Sequence, residues 1–199
     1  MASAPDSIKA AESRLDTAKF GLADMKNPKR ALSGLLNAVV FARMVTFALQ
    51  NMRNEVDGFA AWYDPIVAEL KNDQLMKFFW NLRTEIEKKA EPVAQRGMRI
   101  GKLNTNEIYN LPRPPGAVGF FIGDPTGGSG WNVRAPDGTT EKYYIDPPPA
   151  WGVAAVVTLK GVPVEFKDVP ATELVERYLD RMQGIIEGAK AKFASGVKT

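Results

Sequence analysis

Hydrophobic residues recur at intervals of three and four from the N-terminus to about Pro92, lose that period between Val93 and Val169, and regain it from Pro170 onward. The first stretch predicts helices. Ile8, Ala11, Leu15, Ala18 and Leu22 lay one apolar stripe along a first helix. Asn27-Pro28 reads as an N-cap with proline at the first helical position, opening a second helix that runs to about Val56. Between Leu35 and Leu49 this helix is apolar on most sides. It therefore belongs at the centre of a bundle, or is shared between the core and a subunit interface. Asp57-Gly58 breaks the pattern, and Asp64-Pro65 is expected to restart or kink a short helix after the aromatic Phe59–Tyr63. A fourth helix places Leu75, Phe78, Phe79, Leu82, Ile86 and Ala90 on one face, with Arg83, Glu85, Glu87, Lys88 and Lys89 on the other.

In the middle stretch the helical period gives way to proline and glycine clusters at 111–116, 123–130 and 147–149. Between them lie short aromatic and β-branched runs that predict strands: Val118–Ile122, Trp131–Arg134, Lys142–Ile145, Val153–Leu159 and Val162–Phe166. Pro136-Asp137-Gly138 is a turn signal, so the second and third runs are expected to form a hairpin, and Lys160-Gly161 suggests another. The last stretch carries a stripe from Val175 through Tyr178, Leu179, Met182, Ile185, Ile186 and Ala189 to Phe193, which must bury itself against the N-terminal helices.

The expected fold class is therefore α+β, mainly α. A four- to five-helix antiparallel bundle (1–92) carries a small antiparallel β subdomain (93–169) as an insertion, and a long C-terminal helix (170–199) packs back on it.

Composition narrows the chemistry. The chain of 199 residues has no cysteine and no histidine. Absent cysteine excludes disulfides, thiolate zinc sites and a cysteine nucleophile; absent histidine removes the usual base of a serine triad and the commonest metal ligand. A net charge of +3 is too mild to demand a nucleic-acid partner, yet leaves room for a local basic patch. The first residues lack the basic and apolar regions of a signal peptide. The apolar stretch Gly34–Gln50, interrupted by Asn37 and Arg43, falls short of the roughly 20 residues of a membrane span. A cytoplasmic protein without membrane, metal or cofactor is expected.

Three candidate sites read better as scaffold. The glycine run 123–130 lacks the lysine and following helix of a phosphate loop, and leads instead into the strand Trp131–Arg134. Glu85 and Glu87, with Glu55 and Asp57, lack convergent spacing for a metal and read as a solvated face. Trp131, Tyr143, Tyr144 and Trp151 read as a sheet face or core rather than a base-stacking platform.

The segment Phe78–Lys88 is the most informative. An arginine at the edge of its apolar face, followed by a polar residue, resembles the HEPN (higher eukaryote and prokaryote nucleotide-binding) helical-bundle family. A wider pattern is similar to a group of uncharacterised bacterial proteins related to that family. It comprises Val45–Gln50, Phe59 with Trp62-Tyr63, Lys77–Phe79, Leu82-Arg83, Gly127–Trp131 and Asp137–Tyr144, and spans about residues 30–180. The resemblance implies a bundle of four or five helices, commonly a homodimer, and in many members a metal-free ribonuclease whose motif is an arginine, a polar residue and a later histidine. Arg83 matches the arginine, Thr84 the polar residue, and Lys88 stands where the histidine belongs.

That replacement alters the expected chemistry. General acid–base work is best done with a pKa near the operating pH, and a lysine near 10.4 needs a drop of several units to reach it. Glu85 and Glu87 beside Lys88 favour its charged form instead. The expectation is thus a noncatalytic binding or interaction protein. Arg83, Thr84, Lys88, Arg96 and Arg99 are its candidate ligand-binding residues, and RNA, a nucleotide or an acidic partner its ligand. The alternatives are a metal-independent ribonuclease of toxin or phage-defence type using Arg83 and Lys88, and a structural subunit of a larger assembly.

Overall fold

A computed structural model describes residues 3–27, 29–88, 93–124 and 128–194. Pro28, Lys89, Ala90 and part of the glycine run lie outside the described residues.

Helix α1 (Ala4–Asp24) opens with a capping box: Asp6 N donates to Ser3 Oγ, while the Asp6 carboxylate accepts from the Ser3 backbone and hydroxyl. Ile8, Ala11, Leu15, Ala18 and Gly21 form its buried stripe. It turns back through Met25–Arg30 onto α2 (Ala31–Gln50). The two helices approach closely because both are small at the contact. A Cβ on Gly34 would lie 2.6 Å from the Gly21 carbonyl oxygen and 2.6 Å from Met25 N.

The limits of α2 differ from the sequence expectation at both ends. Asn27 does not cap the helix. Its side chain accepts from Lys29 N at 2.9 Å and closes a local turn, and α2 starts only after Arg30. At the far end α2 stops at Gln50 rather than near Val56. The polar residues Asn51, Arg53 and Asn54 favour a run of i→i+3 turns, and Gly58, at φ 74°, provides the left-handed residue that opens the next helix.

Helix α3 (Phe59–Asn72) continues past Pro65, which neither ends nor restarts it. Asp73 joins α3 to α4 (Gln74–Lys88), its carboxylate accepting from Met76 N at 2.9 Å. The final helix α6 (Ala171–Ala189), followed by a single wider turn at Lys190–Ala194, returns across α1, α2 and α4. Lys190 pairs with Glu12 at 2.6 Å and Arg181 with Glu69 of α3 at 2.6 Å. Five helices thus share one core, with α2 against α1, α4 and α6. By length and composition α2 is apolar enough to cross a membrane; half of its most apolar window is buried in this core.

The middle stretch makes two antiparallel sheets. Strand β1 (Ala94–Arg99), which the sequence did not announce, pairs with β5 (Ala154–Leu159) in the register Ala94↔Leu159 to Arg99↔Ala154. This ladder lies on the bundle and sends Ala94, Val157 and Leu159 into its core. The other sheet is β2 (Ala117–Phe121), β3 (Ser129–Arg134) and β4 (Thr140–Ile145), with β3 central. The expected β3–β4 hairpin is present. The Lys160-Gly161 hairpin is not, because Val164–Phe166 forms a 3-10 turn after Pro163 and β5 pairs backward with β1. A short helix, α5 (Thr105–Ile108), completes the region.

Trp131 and Trp151 form a small second core around Phe120. Their ring centroids lie 4.9 and 6.3 Å from that of Phe120; the indoles donate to Pro112 O at 2.9 Å and to Glu107 Oε2 at 2.7 Å. These tryptophans are therefore structural. Tyr144 is exposed but donates to Asp124, which also holds Lys142 and Gly128 N. The glycine run leads into β3, so no helix N-terminus follows it.

Candidate functional site

Helix α4 places its motif residues by simple geometry. At 100° per residue, Arg83 lies beside the buried face carrying Phe79 and Leu82, whereas Lys88, five positions on, is about 140° further round. The Arg83 guanidinium pairs with Glu87 Oε2 at 2.6 Å, and its carbon lies 5.8 Å from the centre of the Phe47 ring. Thr84 spends its hydroxyl on Trp80 O at 3.1 Å, within the helix. Lys88 is exposed at the helix end.

The other two candidates separate for a different reason. Residues three apart on a strand face opposite ways. Arg96, opposite buried Val157, lies on the bundle side of the β1–β5 ladder; Arg99 points outward. Of the four basic residues expected to form one electropositive patch, Lys88 and Arg99 thus face solvent, while Arg83 and Arg96 lie toward the bundle.

A different arginine does find company beside Arg83. Arg43, the one charged residue of α2, sits 4.6 Å from the Phe47 ring centre and 5.2 Å from that of Trp80, and donates from Nη1 to Thr46 Oγ1 at 2.7 Å. Phe47 and Trp80 are each more than two-fifths exposed. Two arginines and two open aromatic rings thus share one face of α2 and α4. The sequence carried a trace of this: Arg43 interrupts an otherwise apolar helix, with Thr46 and Phe47 at the i+3 and i+4 positions that bring side chains together.

Behind Arg43 a small cleft of about 70 Å³ runs between α2, α3, α4 and α6. Thr46, Gln50, Tyr63 and Tyr178 face it alongside Val67, Leu70, Met76 and Met182, with Lys71 and Trp80 also on its lining. Burial pushes the Tyr178 phenol up to about 12, with the positive charges of Arg43 and Arg83 pulling the other way. Burial also raises Tyr63, opposed by its bonds to Gln50 and Thr46 and by the charge of Arg43. Both phenols are therefore protonated donors at neutral pH. Among the described residues, no three carboxylates come together in a manner that would hold a metal ion.

These features define the class: a mainly α protein whose bundle carries an arginine–aromatic face beside a polar-ended cleft. Comparison adds one family. A model of the family described as bacteriophage lambda protein ea47 matches residues 21–99, from the end of α1 to the end of β1 and less than half of the chain. No curated protein and no solved structure matches. The matched span contains Arg43, Phe47, Tyr63, Trp80 and Arg83, but not Tyr178.

Proposed function

We propose that this is a noncatalytic binding protein, built on a HEPN-like helical scaffold, that takes RNA or a nucleotide on the α2–α4 face. The divergence of Arg83 and Lys88 carries the first half of that reading. A general acid or base must reach the proton it moves while the arginine braces the same phosphate; here Glu87 holds Arg83, and Lys88 projects elsewhere into solvent. The exposed rings of Phe47 and Trp80 support the second half, since bases stack on open aromatic faces while cations meet the backbone.

A second copy of the chain is the partner that fits α2. Leu36 and Val40 face outward in the first half of this helix, with Leu36 exposed, and an isologous dimer across them covers apolar surface that the bundle leaves open while Phe47 stays uncovered.

The test is purified protein with labelled RNA in EDTA, alongside Arg83→Ala and Trp80→Ala. Expected are intact RNA in all samples, salt-dependent retention by the parent chain, and weaker retention by both variants. Metal-independent cleavage that disappears in Arg83→Ala would establish the ribonuclease alternative. Light scattering in the same buffer reads the oligomeric state, and a dimer is expected to become a monomer in Leu36→Glu.

A further inference from the structure

We infer that the cleft behind Arg43 is a binding site for a small monocarboxylic acid with an apolar body, a ligand distinct from the RNA of the outer face. Five arginines of the described structure, at positions 30, 53, 83, 177 and 181, are each bonded to a carboxylate of the same chain. Arg43 has none. One of its five N–H donors goes to Thr46, and the lining of the cleft contains no aspartate or glutamate. A guanidinium half-buried between two aromatic rings, with most of its fork unspent, is set up for an anion supplied from outside.

Tyr178 makes the same point independently. It is 3% exposed and lines the cleft, and its hydroxyl has no hydrogen-bond partner among the described residues. An acceptor arriving in the cleft would give this donor a partner. Tyr63, whose hydroxyl is bonded to Gln50 and Thr46, adds a polar wall to the same cleft. Arg43 and Tyr178 therefore bring two donors to the lining of one cleft, the pairing a single carboxylate would use.

The walls choose between anions. Val67, Leu70, Met76 and Met182 are aliphatic and suit a hydrocarbon body. A phosphate has no apolar part to occupy those walls.

Calorimetry with sodium hexanoate and sodium benzoate tests the site, with hexan-1-ol and inorganic phosphate as comparisons. The carboxylates are expected to bind at least about tenfold more tightly than either comparison, a difference of one charge-assisted hydrogen bond. Arg43→Gln is expected to abolish that preference, and Tyr178→Phe, which keeps the ring and its packing, to weaken it several-fold with an unchanged circular dichroism spectrum. Heat from neither carboxylate at millimolar concentration overturns the inference, as does equal binding of phosphate or full binding by a folded Arg43→Gln. Arg43 and Trp80 border both sites, so Tyr178→Phe and Arg83→Ala separate them: the first is expected to weaken hexanoate binding with RNA retention unchanged, the second to weaken RNA retention with hexanoate binding unchanged.

Discussion

The ring of Tyr178 lies flat on that of Phe79, with centroids 4.6 Å apart and planes 8° from parallel. The C-terminal helix and α4 therefore meet ring on ring at the side of the cleft, and Phe79 is wholly buried there. Phe79→Ala is expected to cost about 3–5 kcal/mol, from lost burial and the cavity left behind. Phe79→Leu should cost less, on the order of 1–2 kcal/mol. Urea unfolding followed by circular dichroism measures both; a cost for Phe79→Ala below that for Phe79→Leu contradicts this packing.

The raised phenols predict a loss of stability in alkali. Tyr178 holds its proton in the folded state to about pH 12, whereas an unfolded tyrosine releases it near 10. Between those values the folded chain binds more protons, so stability is held below pH 10 and falls as pH rises toward 12. The loss from this one residue is on the order of 2–3 kcal/mol. Tyr178→Phe should flatten that part of the pH–stability curve. An ultraviolet titration of the five tyrosines should show Tyr178 ionising after the exposed ones.

Two glycines in helices predict opposite signs. Alanine is the better helix former by nearly 1 kcal/mol, so substitution at a free position stabilises. Gly184, exposed on α6 with open space beyond it, is such a position, and Gly184→Ala should raise stability by about 0.5–1 kcal/mol. At Gly34 the added carbon meets backbone atoms of α1, which cannot swing aside. Gly34→Ala should therefore destabilise by about 1–3 kcal/mol or more despite its propensity. Thermal melts of the pair settle the contrast, and a stabilised Gly34→Ala would refute the close approach of α1 and α2.

Trp151 anchors the three-stranded sheet, so Trp151→Ala should loosen that region alone. Its indole meets Phe120 and Glu107, and it lies outside the buried cluster of the helices. Limited proteolysis is expected to cut the variant between Lys102 and Pro149, while its helical circular dichroism signal persists. Simultaneous loss of both would mean one cooperative unit.

The amphipathic helices were the legible part of the fold. For α1, α4 and α6 the apolar period is long and its buried face unambiguous. Strand β1 was hidden because Ala-Gln-Arg-Gly-Met-Arg contains no β-branched or aromatic residue; its conformation comes from pairing with the valine-bearing β5, far along the chain. Val162–Phe166 erred the other way, apolar enough for a strand but turned by Pro163. At the site, the pairing of Arg83 with Glu87 follows from i,i+4 spacing. Arg43 was recognisable only as an interruption, since its contact with Trp80 exists only once α2 packs on α4.

The ladder that fixes Ala94 opposite Leu159 continues outward: the amides of Gly101 and Lys102 both donate to the carbonyl of Trp151, at 3.0 and 3.1 Å. The outgoing and returning ends of this excursion thus stand side by side, within the span of an ordinary reverse turn. A descendant that shortened, exchanged or discarded everything between them would leave the helices their original neighbours. The same doorway would admit a foreign segment, such as a reporter or an affinity handle, on a stem that the bundle already holds closed.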